Sequence, residues 1–184
     1  MGKFKLNWNT EKILGISAMS ISFITLIIFV YQTNLMSKQN YLSILPYLQV
    51  STSNNAAENS FTISLLNHGV GPAILESVTM IQDGKRNDLA DYKNEILPYL
   101  VSIKPSLDSI QYFSSSTIGK GIAIPANSSY TLLKIKESQK DYEMFTAGLN
   151  ELEQDGLQFE IVYKSIQNER WMISNISDGP VKLD

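Results

Sequence analysis

His68, the chain's only histidine, stands in the stretch LLNHGVGPAI (residues 65–74), beside Gly69 and Gly71. An imidazole there could serve as a general base, but only with a nucleophile or acid partner in reach. The serines of YFSSST (Ser114, Ser115, Ser116) could in principle supply the nucleophile of a hydrolase. No GxSxG elbow, paired-carboxylate motif or P-loop accompanies them. Gly119-Lys120-Gly121 lacks the spacing and the Ser/Thr of a phosphate-binding loop. The acidic run NELEQDG, with Glu151, Glu153 and Asp155, does not follow the order of a calcium loop and fits the solvated end of a helix. Without cysteine there is no thiol nucleophile, disulfide or iron–sulfur cluster, and a single histidine makes a protein-only zinc or copper site unfavourable. Asn127-Ser128-Ser129 and Asn175-Ile176-Ser177 match the glycosylation acceptor pattern, which matters only for an exported chain in a source that uses it.

These absences favour a structural reading of the opening stretch. Asn67 and Gly69 tolerate positive φ and can reverse the chain, Gly71 allows close packing or a second bend, and Pro72 fixes φ as the next strand begins. No catalytic residue, metal ligand or cofactor is expected. A net charge of −3 offers no basic face for nucleic acid.

Residues 13–31, ILGISAMSISFITLIIFVY, carry no charge. As a helix they would extend roughly 28 Å, close to the ~30 Å hydrocarbon core of a bilayer. The run is longer than a signal-peptide core and no small-residue cleavage site follows it. The expected organisation is a cytoplasmic arm (1–12), a transmembrane helix (13–31), a juxtamembrane stalk (32–43) and a β-sandwich domain (44–184). Lys3, Lys5 and Lys12 precede the span against Glu11, and Lys38 alone follows closely, so the positive-inside rule exports the C-terminal domain. Trp8 and Tyr31 flank the span as interfacial aromatics. Gly15, Ala18, Ser22 and Thr25 share one helical face that would admit a second membrane helix, in a homo-oligomer or with another protein. No ionisable group lies within the span to carry protons or ions.

Beyond residue 43, alternation predicts strands at ILPYLQVST, SFTISLLN and AILESVTMI, the last with Ile74, Val78 and Met80 on one face and Glu76 interrupting. Further strands are expected at SIQYFSS, GIAIP, SYTLLKIK, LQFEIVYKS and RWMISN, the last two joined by a hairpin at IQNE. Helical spacing marks NDLADYKNEILPYL, through Leu89, Tyr92, Ile96 and Leu100, with Asn87 or Asp88 as N-cap and Pro98 as kink or stop. SQKDYEMFTAGLNELEQDG is the stronger helix. Ser138 and Asp141 suggest a capping box, Tyr142, Phe145, Leu149 and Leu152 form one face, and Gly156 is the stop. The fold class is mainly β: an antiparallel immunoglobulin-like sandwich with two short helical insertions behind one transmembrane helix.

The segments NYLSILPYLQV, LNHGVGPAI, IPANSSYTLLKI and FEIVYKSIQNERWMIS together resemble uncharacterised bacterial single-span membrane proteins with an immunoglobulin-like sandwich domain. The similarity covers residues 13–176 loosely. Its most distinctive element is N-x-G-x-G-P-A at Asn67, Gly69, Gly71, Pro72 and Ala73, a pattern that does not include His68. The resemblance implies the architecture and no activity. The expected function is a membrane-anchored, non-enzymatic binding or assembly module with an extracytoplasmic sandwich, its partners the lipid bilayer and another protein. An accessory subunit held in a larger membrane complex by its helix, and a serine-dependent hydrolase, are the alternatives.

Overall fold

The computed structural model describes residues 9–183. Lys3, Lys5 and Trp8, on which part of the orientation argument rests, lie outside the described residues. The chain divides into two compact units, Met1–Leu42 and Ser43–Asp184.

In the first unit, α1 (Thr10–Leu42) is a continuous helix of 33 residues, so the expected span and stalk form one element. At 1.5 Å per residue it measures about 50 Å. None of its side chains is buried, and it is long and apolar enough to cross a membrane. The serines and the threonine within its apolar run bond back to the preceding turn: Ser17 donates to Leu14 O (2.9 Å), Ser20 to Ile16 O (2.8 Å), Ser22 to Ala18 O (2.9 Å) and Thr25 to Ile21 O (2.8 Å). Such back-bonding pairs these hydroxyl protons within the helix itself.

The second unit is built from two antiparallel sheets. One runs in the order β1 (Leu48–Asn55), β2 (Ser60–Asn67), β7 (Ser128–Ile135), β5 (Phe113–Ser115). The other runs β10 (Val181–Leu183), β9 (Arg170–Ser174), β8 (Gln158–Lys164), β3 (Ala73–Gln82), β4 (Lys85–Asp88), with β6 (Ala123–Ile124) also on β3. Residues of both sheets meet in one buried cluster, to which Leu65, Leu75, Leu133, Ile135, Ile161 and Tyr163 belong.

β2 follows its expected alternation: Phe61, Ile63, Leu65 and Asn67 are buried and their neighbours are not. β3 departs from it. Its pairing with β8 shifts between Leu75 and Ser77, an extra residue at Glu76 that reverses which side chains face inward. Ala73 and Leu75 are therefore buried before the shift, Val78 and Met80 after it, and Ile74 is only half-buried. Expelled from the ladder, Glu76 accepts from Arg170 Nε at 2.6 Å. A second shift, opposite Ile63 and Ser64, lets the consecutive Leu132 and Leu133 both enter the core.

The helical segments also differ in part from expectation. Residues 87–100 do not form one helix. Asp88 caps a single 3-10 turn (Leu89–Tyr92), its carboxylate accepting from Ala90 N at 2.9 Å. Lys93 and Asn94 then adopt left-handed φ of 60° and 58°, which ends the turn. α2 (Ile96–Ile103) starts afresh with Pro98 in its first turn, where no intrahelical N–H bond is lost, so the proline neither kinks nor stops it. α3 (Gln139–Gln154) matches the sequence reading closely: Ser138 caps Asp141 N, Phe145, Leu149 and Leu152 are buried, and Gly156 has φ of 85°. β4 and β10 were not expected, although Asp83-Gly84, with φ of 52° and 74°, is a two-residue hairpin signal for β4. Of SIQYFSS only Phe113–Ser115 is strand, after a 3-10 turn at Pro105–Ser109.

Candidate functional site

The stretch at residues 67–72 is organised by the Asn67 side chain, which is buried. Its Oδ1 accepts from Tyr47 N (3.1 Å) and Gly69 N (3.0 Å). Its Nδ2 lies 2.9 Å from Gly71 O, 3.0 Å from Ile124 O and 3.1 Å from Pro125 O. One amide thus ties the turn to the segment entering β1 and to the end of β6. Gly71 meets the close packing expected of it, whereas Asn67 and Gly69 do not adopt the positive φ expected of them. Neither Gly69 nor Gly71 has positive φ. Instead the backbone of residues 44–47 runs against them. A Cβ at Gly69 would lie 2.4 Å from Leu45 O, and one at Gly71 would lie 1.9 Å from Ile44 O. His68 N donates to Tyr47 O and Val70 N to Leu45 O, at 2.9 and 3.0 Å, which locks the approach. Pro72, half-buried, leads directly into β3.

The His68 side chain is exposed at this bend. Ser115 Oγ donates to Glu95 Oε2 at 2.7 Å, and its strand register aligns it through Leu133 with Ile63. His68 is two strands across and five residues further along, on the order of 20 Å away by strand spacing and rise. The imidazole cannot be the base for these serines. The acidic run is likewise dispersed: Glu151 pairs with Lys104, while Asp155 caps the end of α3. No three His, Cys, Asp or Glu side chains among the described residues are grouped to hold a metal ion. Asn127 is exposed, whereas Asn175 accepts from Phe159 N (3.2 Å) and donates to Leu157 O (3.0 Å). Gly15, Ala18, Ser22 and Thr25 lie on α1, exposed along its length.

An apolar space lies among residues of both sheets, α2 and α3. An apolar cavity of about 120 Å³ is lined by Val50, Ile63, Met80, Leu100, Leu132 and Ile161, among others. Interiors at normal density hold few voids larger than a water molecule. The cavity leads to an outer vestibule of about 350 Å³ between β1 and the end of β9, bordered by Tyr47, Ser174, Ser177 and Asp178. Val50, Thr52, Glu153, Phe159 and Asn175 line both spaces and so form the neck between them. Neither lining includes a lysine or arginine. Glu153 was not singled out as a cleft residue by sequence reasoning. The available signal was its position one turn after the core residue Leu149 on α3.

Close by, the Leu48 N–H donates to the buried Tyr163 hydroxyl at 3.3 Å, joining β1 to the opposite sheet. Burial pushes the phenol up from 10.0 to about 12, because its anion would be desolvated. Tyr163 stacks on Trp171 with ring centroids 5.9 Å apart.

No protein-family model matches the chain, and no curated protein matches it.

Proposed function

We propose that the chain is a membrane-anchored, non-enzymatic binding module whose sandwich domain lies outside the cytoplasm. The observation that carries the reading is the division of labour between the two units. α1 is apolar, longer than a bilayer core requires and contributes no buried side chain. Among the described residues, every core residue and the cleft belong to the other unit. Such a helix has no soluble core to join and is accommodated by lipid. An immunoglobulin-like topology is supported by the strand orders. β1-β2-β7-β5 corresponds to the A-B-E-D order of that fold, and β9-β8-β3-β4 to its G-F-C-C′ order. The helices α2 and α3 then fall in the connections that pass between the sheets.

The lysine asymmetry supports export of the domain. A reporter fused after Asp184 is expected to behave as exported, and protease added to spheroplasts is expected to digest residues beyond α1. Protection of the domain until lysis would reverse the orientation. Recovery of the chain in the soluble fraction would reject the anchor.

A further inference from the structure

We propose that the cavity between the sheets accepts the tail of a small alkylammonium amphiphile, with its charged head held in the vestibule beside Glu153. The inference rests on the domain being a binding module and is independent of its membrane orientation. The cavity walls are aliphatic and aromatic apart from Thr52, Glu153 and Asn175 at the neck. Its inner apolar walls lack the dispersion contacts that an inserted hydrocarbon would restore. Its volume of about 120 Å³ sets the size of the guest. An engineered apolar cavity of about 150 Å³ in another protein admits benzene, so a tail of about six carbons is the upper range.

The head group follows from the polar atoms at the neck and vestibule. Both Asn175 side-chain atoms are engaged, with Phe159 N and Leu157 O. The ion pairs among the described residues involve neither Glu153 nor Asp178. With two carboxylates and no cation lining the route, a carboxylate or phosphate head is repelled. An ammonium donates charge-assisted hydrogen bonds to Glu153 while its tail fills the cavity.

The test uses the full chain in lipid nanodiscs with ¹³C-labelled methionine methyls. Met80 lines the cavity, whereas Met144 and Met172 line neither the cavity nor the vestibule. Titration with hexylammonium is expected to shift the Met80 methyl saturably and leave Met144 and Met172 in place. Hexanoate is expected to bind at least about fivefold more weakly. Glu153→Gln is expected to weaken hexylammonium about 2–5-fold, the range for a partly exposed ion pair, while leaving hexanol unchanged. Glu153 is exposed, so this variant tests the head group without disturbing the core. Ile118 also lines the cavity, and Ile118→Phe, which fills it, is expected to keep the Met144 and Met172 methyls at their parental positions while abolishing the response of Met80 to hexylammonium and hexanol. A Met80 signal unmoved by every ligand, equal response to hexanoate, or concerted movement of Met144 and Met172 would overturn the proposal. A cytoplasmic domain in the topology experiment would leave these titrations unchanged, and their failure would leave the topology unaffected.

Discussion

Gly71 and Ile44 meet backbone to backbone, so closely that a Cβ on the glycine would stand 1.9 Å from the Ile44 carbonyl oxygen. Ile44 lies two residues beyond the end of α1, and Gly71 in the bend between β2 and β3. Because the obstruction is main chain, no rotamer change relieves it. Gly71→Ala is expected to destabilise the domain by about 1–3 kcal/mol, the range for overpacking, and Gly69→Ala to behave similarly. His68→Ala is expected to remain within about 0.5 kcal/mol, since the imidazole is exposed. Thermal unfolding of the three variants measures the order. Unchanged melting for Gly71→Ala would reject the close approach.

Asn67 is the polar counterpart of that contact. Asn67→Ala would leave Tyr47 N and Gly69 N without their Oδ1 acceptor and Gly71 O without its donor. Buried unpaired groups cost about 1–3 kcal/mol each, so a loss of roughly 3 kcal/mol is expected. Asn67→Asp preserves shape but replaces the donating amide with a second oxygen facing carbonyls. It is expected to be no better than alanine at neutral pH, and chemical denaturation at pH 7 would compare the two.

The Tyr163 phenol makes alkaline stability informative. Its folded pKa is raised from 10.0 to about 12, so the folded state retains a proton that the unfolded state releases. The stabilisation is complete below pH 10 and is lost as pH rises towards 12. Tyr163→Phe is expected to flatten this decline relative to the parent. It also leaves the buried Leu48 N–H without its acceptor, costing about 1–3 kcal/mol near pH 7. Denaturation midpoints of the two proteins between pH 8 and about 12 would test both effects; parallel curves would contradict the titration.

Asp141 offers a fourth test. The sequence suggests a capping box, but its buried carboxylate turns to the chain entering β5 and accepts from Gln111 N (3.0 Å) and Tyr112 N (2.8 Å). Asp141→Ala is expected to cost about 2–4 kcal/mol by removing an ionic acceptor from two amides. Asp141→Asn should retain part of the stability through its remaining oxygen. Amide hydrogen exchange at Gln111 and Tyr112 would rise in the alanine variant, whereas a purely helical capping role would confine the change to the first turn of α3.

Elements governed by local period were readable from the chain. α1 is a charge-free apolar run, β2 a strict alternation, and α3 an amphipathic face between a serine cap and a glycine stop. Their physics acts over a few residues, through hydrogen bonding along the helix or burial of every second side chain. The phase of β3 was not readable, because the extra residue at Glu76 is defined only by the partner strand β8. The split near residue 93 was also hidden, since Lys93 and Asn94 carry no obligatory turn signature.

The sequence by itself determined that residues 67–72 form a bend rich in glycine, but tertiary structure decided why those glycines are needed. For Gly69 the expected cause was positive φ and the actual one is the approach of residues 44–47; for Gly71 close packing was expected, and the tertiary structure supplied the segment that packs there. Likewise, Leu48 and Tyr163 are separated by 115 positions, and Glu153 becomes the neck of a cleft only where α3 meets residues of both sheets. Local propensity describes how a segment can bend or coil. Steric exclusion, burial and the pairing of polar groups depend on which distant segments arrive beside it.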